Sequence, residues 1–319
     1  MKNTIGEPPV VFNPALADQT RRQFELFLHN KGYFNADVGY DVRFRGKRAN
    51  VTYSVQGNQP YTIRNIDYSI QDRHLADFVY RDTINSFLER GQRYDADVLQ
   101  KERQRITRHL KEEGFFNFSR DFIFFQVDST FQNNQLDIEI LINSPRATGL
   151  AGIDRNPVSH KRYKINRVFV YPEFSRLLPS QHFSDTTHFQ IENGEETAVY
   201  TFLHNGPMAI RPKAIASNIM LESGDFYNIR RVEQTHGFLA GLRNFRFVNV
   251  QFLPITPEIS ETTNDTLGHL DVRIELTRAP ANAFTIEAEG LNTAGNLGIA
   301  GNLMFQNRNV FSGAEMLNV

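Results

Sequence analysis

GQRYDADVLQKERQRITRHLKEEGFFN, residues 91–117, reads as a turn, one helix and a glycine–aromatic–aromatic stop. Val98, Leu99, Ile106 and Leu110 fall near helical spacing and leave Lys101, Arg103, Arg105, Arg108 and Lys111 mostly on the other face. Asp95 and Asp97 stand where a helix N-terminus favours an acid, and Gly114 stands where a helix ends. Two alternating segments follow, Asp121 to Val127 and Gln135 to Ile142, and predict a strand pair. Working backwards, Tyr61 to Ile70 alternates imperfectly and predicts a strand. Asp72 to Arg90 carries Leu75, Phe78, Val79, Ile84, Phe87 and Leu88 and predicts a first helix. The unit is strand–helix–helix–strand–strand, a small α+β fold.

The same text recurs on both sides. Upstream, Pro14 to Lys31 predicts a helix that stops at Gly32-Tyr33-Phe34. Two alternating segments follow, Val38 to Arg45 and Ala49 to Val55, joined by Gly46-Lys47-Arg48. Pro8, Pro9 and Pro14 oppose helix before that. Downstream, Ser144 to His160 reads as a linker. YKINRVFVY at 163–171 then parallels YTIRNIDYS at 61–69, and GDFYNIRRV at 224–232 parallels GQRYDADVL at 91–99. Helices are expected at Pro212 to Leu221 and Tyr227 to Asn244, and strands at Phe245 to Leu253 and Leu270 to Thr277. Residues 172–206 are poorly patterned, with a strand expected at Ala198 to Leu203. The connection Pro254 to Gly268 is long and polar.

From Ala283 the texture changes. Phe284, Ile286 and Ala288 alternate with Thr285, Glu287 and Glu289. Beyond a turn-like Gly290 to Gly295, Leu297, Ile299, Gly301, Leu303 and Phe305 do the same. Two or three strands alone make no stable sheet, so the strand pattern is expected to continue beyond residue 319.

Composition narrows the function. The 319 residues carry a net charge of −1, with pI about 6.8, so no global field favours nucleic acid. There is no cysteine, hence no disulfide, thiolate nucleophile or cysteine-held metal. No apolar run approaches the roughly 20 residues of a membrane helix, and MKNTIGEPPVVF lacks the apolar core of a signal peptide. On that reading the chain is either cytosolic or a piece of a longer exported chain. The nine histidines show no HxxxH or HExxH spacing, and surface or core roles explain them. No GxSxG, Walker loop or dinucleotide fingerprint stands in its required context. Glu112-Glu113, Glu195-Glu196 and Asp137-x-Glu139 place no acid and base across a cleft. The basic run Lys101 to Lys111 is interleaved with Glu102, Glu112 and Glu113 and reads as a solvated helix face. A cofactor-free, non-enzymatic chain is expected. Tyr33, Phe34, Phe115, Phe116 and Phe245 are expected to lock the helix end onto the sheet, each burial contributing roughly 1.5–3 kcal/mol.

The landmarks Gly32-Tyr33-Phe34, Gly91-x-x-Tyr94, Gly114-Phe115-Phe116, Gly224-x-x-Tyr227 and Asn244-Phe245 resemble the POTRA (polypeptide-transport-associated) domain. TIEAEGLNTAGNLGIAGNLMFQNRNVFSGAE, residues 285–315, is similar to the start of the outer-membrane β-barrel of the BamA/TamA superfamily. The GEPPVVF…NKGYFNADV opening is most like the TamA-like (TamL) proteins of Bacteroidetes. The resemblance implies tandem POTRA domains: a partial one at 1–58 lacking its first strand and helix, one at 59–145, a linker at 146–160, and one at 161–280 with an insertion at about 172–206. The first strands of a truncated barrel would occupy 281–319. It implies a location at the outer membrane with this portion mainly periplasmic. It implies unfolded outer-membrane proteins or exported chains as clients, held by β-augmentation and passed to the barrel, and a TamB-like periplasmic partner. A two-partner secretion pore is the alternative; a soluble hydrolase would need a convergent polar pocket that the sequence does not offer. The family further implies that the first strand is the middle one of each three-stranded sheet and the second an exposed edge. The expected client-binding edge is therefore Phe122, Ile123, Phe124, Phe125, Gln126 and Val127.

Overall fold

A computed structural model of the chain describes residues 11–131, 133–145, 158–175, 182–193, 196–255, 266–293 and 296–318. The chain divides into two compact units, 1–107 with 119–157, and 108–118 with 158–319. Five helices run in chain order: α1 (Pro14–Asn30), α2 (Arg73–Arg81), α3 (Ala96–Glu112), α4 (Pro212–Ala216) and α5 (Ile229–Gly241). The strands are β1 (Asp37–Arg45), β2 (Arg48–Gln56), β3 (Thr62–Ile70), β4 (Ile123–Phe131), β5 (Gln135–Ile142), β6 (Arg162–Tyr171), β7 (Asp185–Asn193), β8 (Glu196–His204), β9 (Phe245–Ile255), β10 (Leu267–Arg278), β11 (Asn282–Thr293), β12 (Asn296–Asn307) and β13 (Leu317–Asn318). The architecture is α+β.

In the first unit, α1 packs on the β1–β2 hairpin. Asn13 caps α1 by accepting from Ala15 N at 2.9 Å, ahead of Pro14, whose missing N–H costs nothing there. Tyr53 donates to the Ala17 carbonyl across the helix–hairpin face. An apolar groove of about 390 Å³ remains between α1 and β2, lined by Thr20, Gln23, Phe24, Phe27, Leu28 and Val55. Thr20, Phe24 and Leu28 stand at the same distances before Gly32 as Glu102, Ile106 and Leu110 stand before Gly114. That second set is buried, whereas Phe24 is exposed.

The other sheet of this unit has the order β3-β5-β4, with β3 parallel and β4 antiparallel to β5. This corrects the expectation that the first strand is central. β5 takes the centre because its alternate residues Leu136, Ile138, Ile140 and Ile142 are all buried under the helices. The helix expected over Asp72 to Arg90 ends at Arg81, followed by a short 3-10 turn, Thr83–Asn85. A tertiary partner competes with the helical ladder there. Glu102, fully buried, accepts from Ser86 Oγ at 3.0 Å and from Phe87 N at 2.9 Å, and Arg105 bridges Glu102 and Asp82.

In the second unit, five strands follow the order β7-β8-β6-β10-β9, with β10 parallel to β6 and antiparallel to β9. The strand expected at Ala198 to Leu203 is β8, while β7 comes from the part of 172–206 that sequence left unpatterned; β8 pairs parallel with β6 along Val168–Val170. Ala198, Tyr200 and Phe202 bring it into one core with Ile215, Leu221, Leu239, Val272 and Ile274. Burial of Tyr200 pushes its hydroxyl pKa well above the ordinary tyrosine value. α4 and α5 are shorter than the periodicity predicts. Asn228 Oδ1 accepts from Arg230 N and Arg231 N and so starts α5 two residues late.

The β11–β12 ribbon pairs Phe284 with Phe305, Ile286 with Leu303, Ala288 with Gly301 and Gly290 with Ile299. From the Phe284–Phe305 pair to the Gly290–Ile299 pair one face holds only apolar residues and glycine, with the Asn282–Asn307 pair at its end, and Phe284, Ile286, Ile299 and Leu303 are each at least 68% exposed on it. Among the described residues no helix is long and apolar enough to cross a membrane; strands lie outside that criterion.

Candidate functional site

The expected edge, Phe122 to Val127, falls on β4 with one exception. Phe122 lies in the 3-10 turn Arg120–Phe122, and its carbonyl accepts from Asn143 N at 2.9 Å. That bond sets the phase of the antiparallel ladder. Phe124, Gln126 and Asp128 exchange bonds with Leu141, Glu139 and Asp137, while Ile123, Phe125 and Val127 turn their backbone groups away from β5. Side chains alternate the other way. Ile123 is buried, Phe125 lies beneath the Arg103 guanidinium at 5.2 Å, and Phe124 and Gln126 are exposed. The register shifts between Asp128 and Phe131, so the regular stretch is Ile123 to Asp128. A strand end that offers outward N–H and C=O groups is a template for another strand.

Sequence reasoning missed a second such strand. β9 ends the five-stranded order, with Phe247 and Leu253 about half exposed. At the opposite end of the order, β8 and then β7 extend the sheet beyond β6.

Phe115 and Phe245 are buried as expected, but Phe34 and Phe116 reach a different sheet. Gly32 leaves α1 at φ +86°, and its carbonyl accepts from Tyr61 N at 2.8 Å. Phe34 stacks on Tyr61 (4.7 Å) and meets Tyr94 edge-on (5.2 Å). Thus Gly32-Tyr33-Phe34 docks on the beginning of the next sheet instead of its own. The pattern repeats. Gly114 leaves α3 at φ +104°, its carbonyl accepts from Tyr163 N at 2.9 Å, and Phe116 meets Tyr163, Tyr227 and Phe252. Phe115 alone keeps the expected core role in this pair, fully buried. The receiving surfaces match bond for bond. Tyr94 N and Tyr227 N donate to the carbonyls of Tyr61 and Tyr163, and Gly91 N and Gly224 N donate to those of Ile63 and Ile165. The repeated Tyr-x-Ile and Gly-x-x-Tyr texts were the signal for these joints.

Charge reinforces both. Asn228 Nδ2 and Arg162 Nε donate to the carbonyls of Glu112, the last residue of α3, and Glu113, just past it, where a helix favours cations and donors. Lys31 Nζ donates to Asp95 (2.9 Å) and Asp97 (2.7 Å). Burial pushes the Asp95 carboxyl up, but the Lys31 ammonium and the Asp97 N–H overcome it and hold it below its ordinary 3.8. The Asp95 bond, then that to Asp97, raises Lys31 above its ordinary 10.5. A depressed acid stabilises the fold above its unfolded pKa and loses that contribution as pH falls through its folded one; a raised base does the converse. The Lys31 joint is thus expected to hold fully between about pH 4 and 10 and to loosen below pH 4. Protection of Tyr61 N–H against hydrogen exchange, relative to the intrinsic rate at each pH, that falls below pH 4 in the wild type but not in Lys31→Met checks this.

A third joint lies at the base of the β11–β12 ribbon. Arg243 leaves α5 at φ +58°. The Asn244 carbonyl accepts from Ala279 N at 2.8 Å, and its buried side-chain amide donates to the Arg308 carbonyl. The turn after β12 is held as well: Arg211 N and Nη2 donate to the carbonyls of Ser312 and Phe311, both at 2.8 Å, and Asn309 Nδ2 donates to that of Ala209. Glu315 accepts from Phe311 N and Gly313 N. Ser312 and Ala314 sit at φ +61° and +65°, a conformation non-glycine residues adopt only when their surroundings over-determine it.

No three metal-ligating side chains cluster among the described residues. No family model matches the chain, and no curated protein matches it. Solved structures do. POTRA domains 3–5 of BamA from Haemophilus influenzae align at 16% identity over 84% of this chain and 82% of that one, TM-score 0.41. BamA from Haemophilus ducreyi lacking POTRA domains 1–3 aligns at 10% identity over 81% of this chain and 36% of that one, TM-score 0.47. CdiB from Acinetobacter baumannii aligns at 14% over 98% and 47%, TM-score 0.31. At these scores function has to be argued from the chain's own strands and joints.

Proposed function

We propose that the chain is the POTRA-type periplasmic region, with the first barrel strands, of an outer-membrane protein assembly factor of the BamA/TamA kind, nearer to the TamA-like branch. It holds exported client chains by strand addition at β4 and passes them towards the barrel, without cofactor or covalent chemistry. A TamB-like periplasmic protein is its partner. The observation that carries the client-binding step is the outward phase of Ile123, Phe125 and Val127. It presents three successive donor–acceptor pairs to any extended chain, with little demand on its sequence. Membrane placement is supported by the exposed apolar stretch Phe284, Ile286, Ile299 and Leu303 on one face of β11–β12, opposite a face carrying Thr285, Glu287 and Asn302; that alternation suits lipid on one side and a polar lumen on the other.

Photo-crosslinkers at Phe124 and Gln126, whose side chains are exposed, test this in cells. The expected result is crosslinks to newly exported outer-membrane proteins. Val127→Pro should abolish them, because it deletes an outward N–H and leaves the β4–β5 ladder paired. Crosslinks to one dedicated exported substrate would recast the chain as part of a two-partner secretion pore. Crosslinks unchanged by Val127→Pro would refute strand addition at β4.

A further inference from the structure

We propose that the β1–β2 hairpin tip, Arg43 to Arg48, is a docking point for an anionic lipid surface. The tip reads Arg-Phe-Arg-Gly-Lys-Arg, and every one of these residues is exposed. The register places Arg45 directly opposite Arg48. Like charges facing each other across a strand pair are destabilising. Gly46 at φ +62° forces them together through a two-residue turn. Arg43 has an exposed partner, Asp41, at 3.2 Å. No carboxylate among the described residues pairs with Arg45, Lys47 or Arg48. The repulsion is thus left for something outside the hairpin to relieve.

Two further features point to lipid. Phe44 is 68% exposed at the tip, with Phe12 edge-on at 5.7 Å and Val11 84% exposed beside it in sequence. Apolar side chains ringed by cations are what an anionic interface accepts, the former at the acyl boundary and the latter at the headgroups. The tip is also the convex end of a two-stranded ribbon and offers no groove to an acidic peptide. Blunting a strand edge does not account for the charge, since the turn between β4 and β5 carries Asn133 and Asn134 and no such cluster of cations. This inference is independent of strand addition at β4.

Flotation of the whole chain with vesicles tests it. At low salt, binding to phosphatidylcholine–phosphatidylglycerol vesicles should exceed binding to pure phosphatidylcholine. The excess should fall roughly a hundredfold in Arg45→Gln/Lys47→Gln/Arg48→Gln, about fivefold for each cation removed. Raising salt should remove the same excess. Binding by the apolar β11–β12 face would appear on both vesicle types and would survive the triple variant, so it is read separately. Phe44→Ser should weaken binding while keeping the preference for anionic lipid. Equal binding to both vesicles, or a triple variant that keeps the preference, would overturn the proposal. So would a soluble polyglutamate peptide that binds as tightly as the vesicles, since that marks a generic anion site.

Discussion

Glu102→Ala should destabilise the first unit by about 3–5 kcal/mol, the range found when one partner of a buried ion pair is removed. Glu102 is fully buried, and its two oxygens take four donors: Ser86 Oγ, Phe87 N, and Arg105 through both Nε and Nη2. Truncation leaves the Phe87 N–H and Ser86 hydroxyl without their acceptor and half-strands the Arg105 guanidinium, which keeps only Asp82. The loss also releases the segment after α2, because that turn is held by Glu102 and not by a helical ladder. Glu102→Gln should recover part of the loss, as one acceptor oxygen remains. Urea unfolding measures the first effect. Hydrogen exchange at Phe87 N–H, fast in the alanine variant, isolates the second. A loss within about 0.5 kcal/mol of wild type, typical of plain surface sites, would mean that the network contributes nothing net.

The second large effect is expected at Gly32. Gly32 and Gly91 both adopt left-handed backbone, at φ +86° and +82°. An alanine at either pays about 1–2 kcal/mol for that conformation. The surroundings separate them. A Cβ on Gly32 would stand 2.6 Å from the Tyr94 carbonyl oxygen, whereas a Cβ on Gly91 meets nothing within 4 Å. The obstacle at Gly32 is backbone held by the Tyr94 N–H to Tyr61 bond, so it cannot rotate aside. Gly32→Ala should therefore cost roughly 1–3 kcal/mol more than Gly91→Ala, the range for overpacking. It should also expose Tyr61 N–H to exchange, which Gly91→Ala should not. Equal costs and unchanged Tyr61 exchange would show that the Gly32 joint is not closed in solution.

Local chemistry alone determined the repeating text of the helix stops and the strands around them, the stops at Gly32 and Gly114, the acid-first start of α3 at Asp95, and the alternation of β11 and β12. Each of these is a preference between residues a few positions apart, and periodicity or a positive φ records it directly. The same text left open where a terminal aromatic goes. Phe34 and Phe116 are apolar enough for either sheet, and the choice was made by Tyr61, Tyr94, Tyr163 and Tyr227, dozens of residues away.

Strand order was equally closed to sequence. Tyr61 to Ile70 and Gln135 to Ile142 both alternate, and only packing of β5 between β3 and β4 made the latter central. The helix expected past Arg81 failed because Glu102 supplied a better acceptor for Phe87 N than the helix could. In the poorly patterned residues 172–206 only the strand at Ala198 to Leu203 was legible; β7, and the pairing of β8 with β6 that closes the core over Tyr200 and Phe202, were not. Short-range preference wrote most of the elements and the stops at Gly32 and Gly114. Long-range pairing, which selects among chemically equivalent faces and edges by what else is buried with them, decided their neighbours.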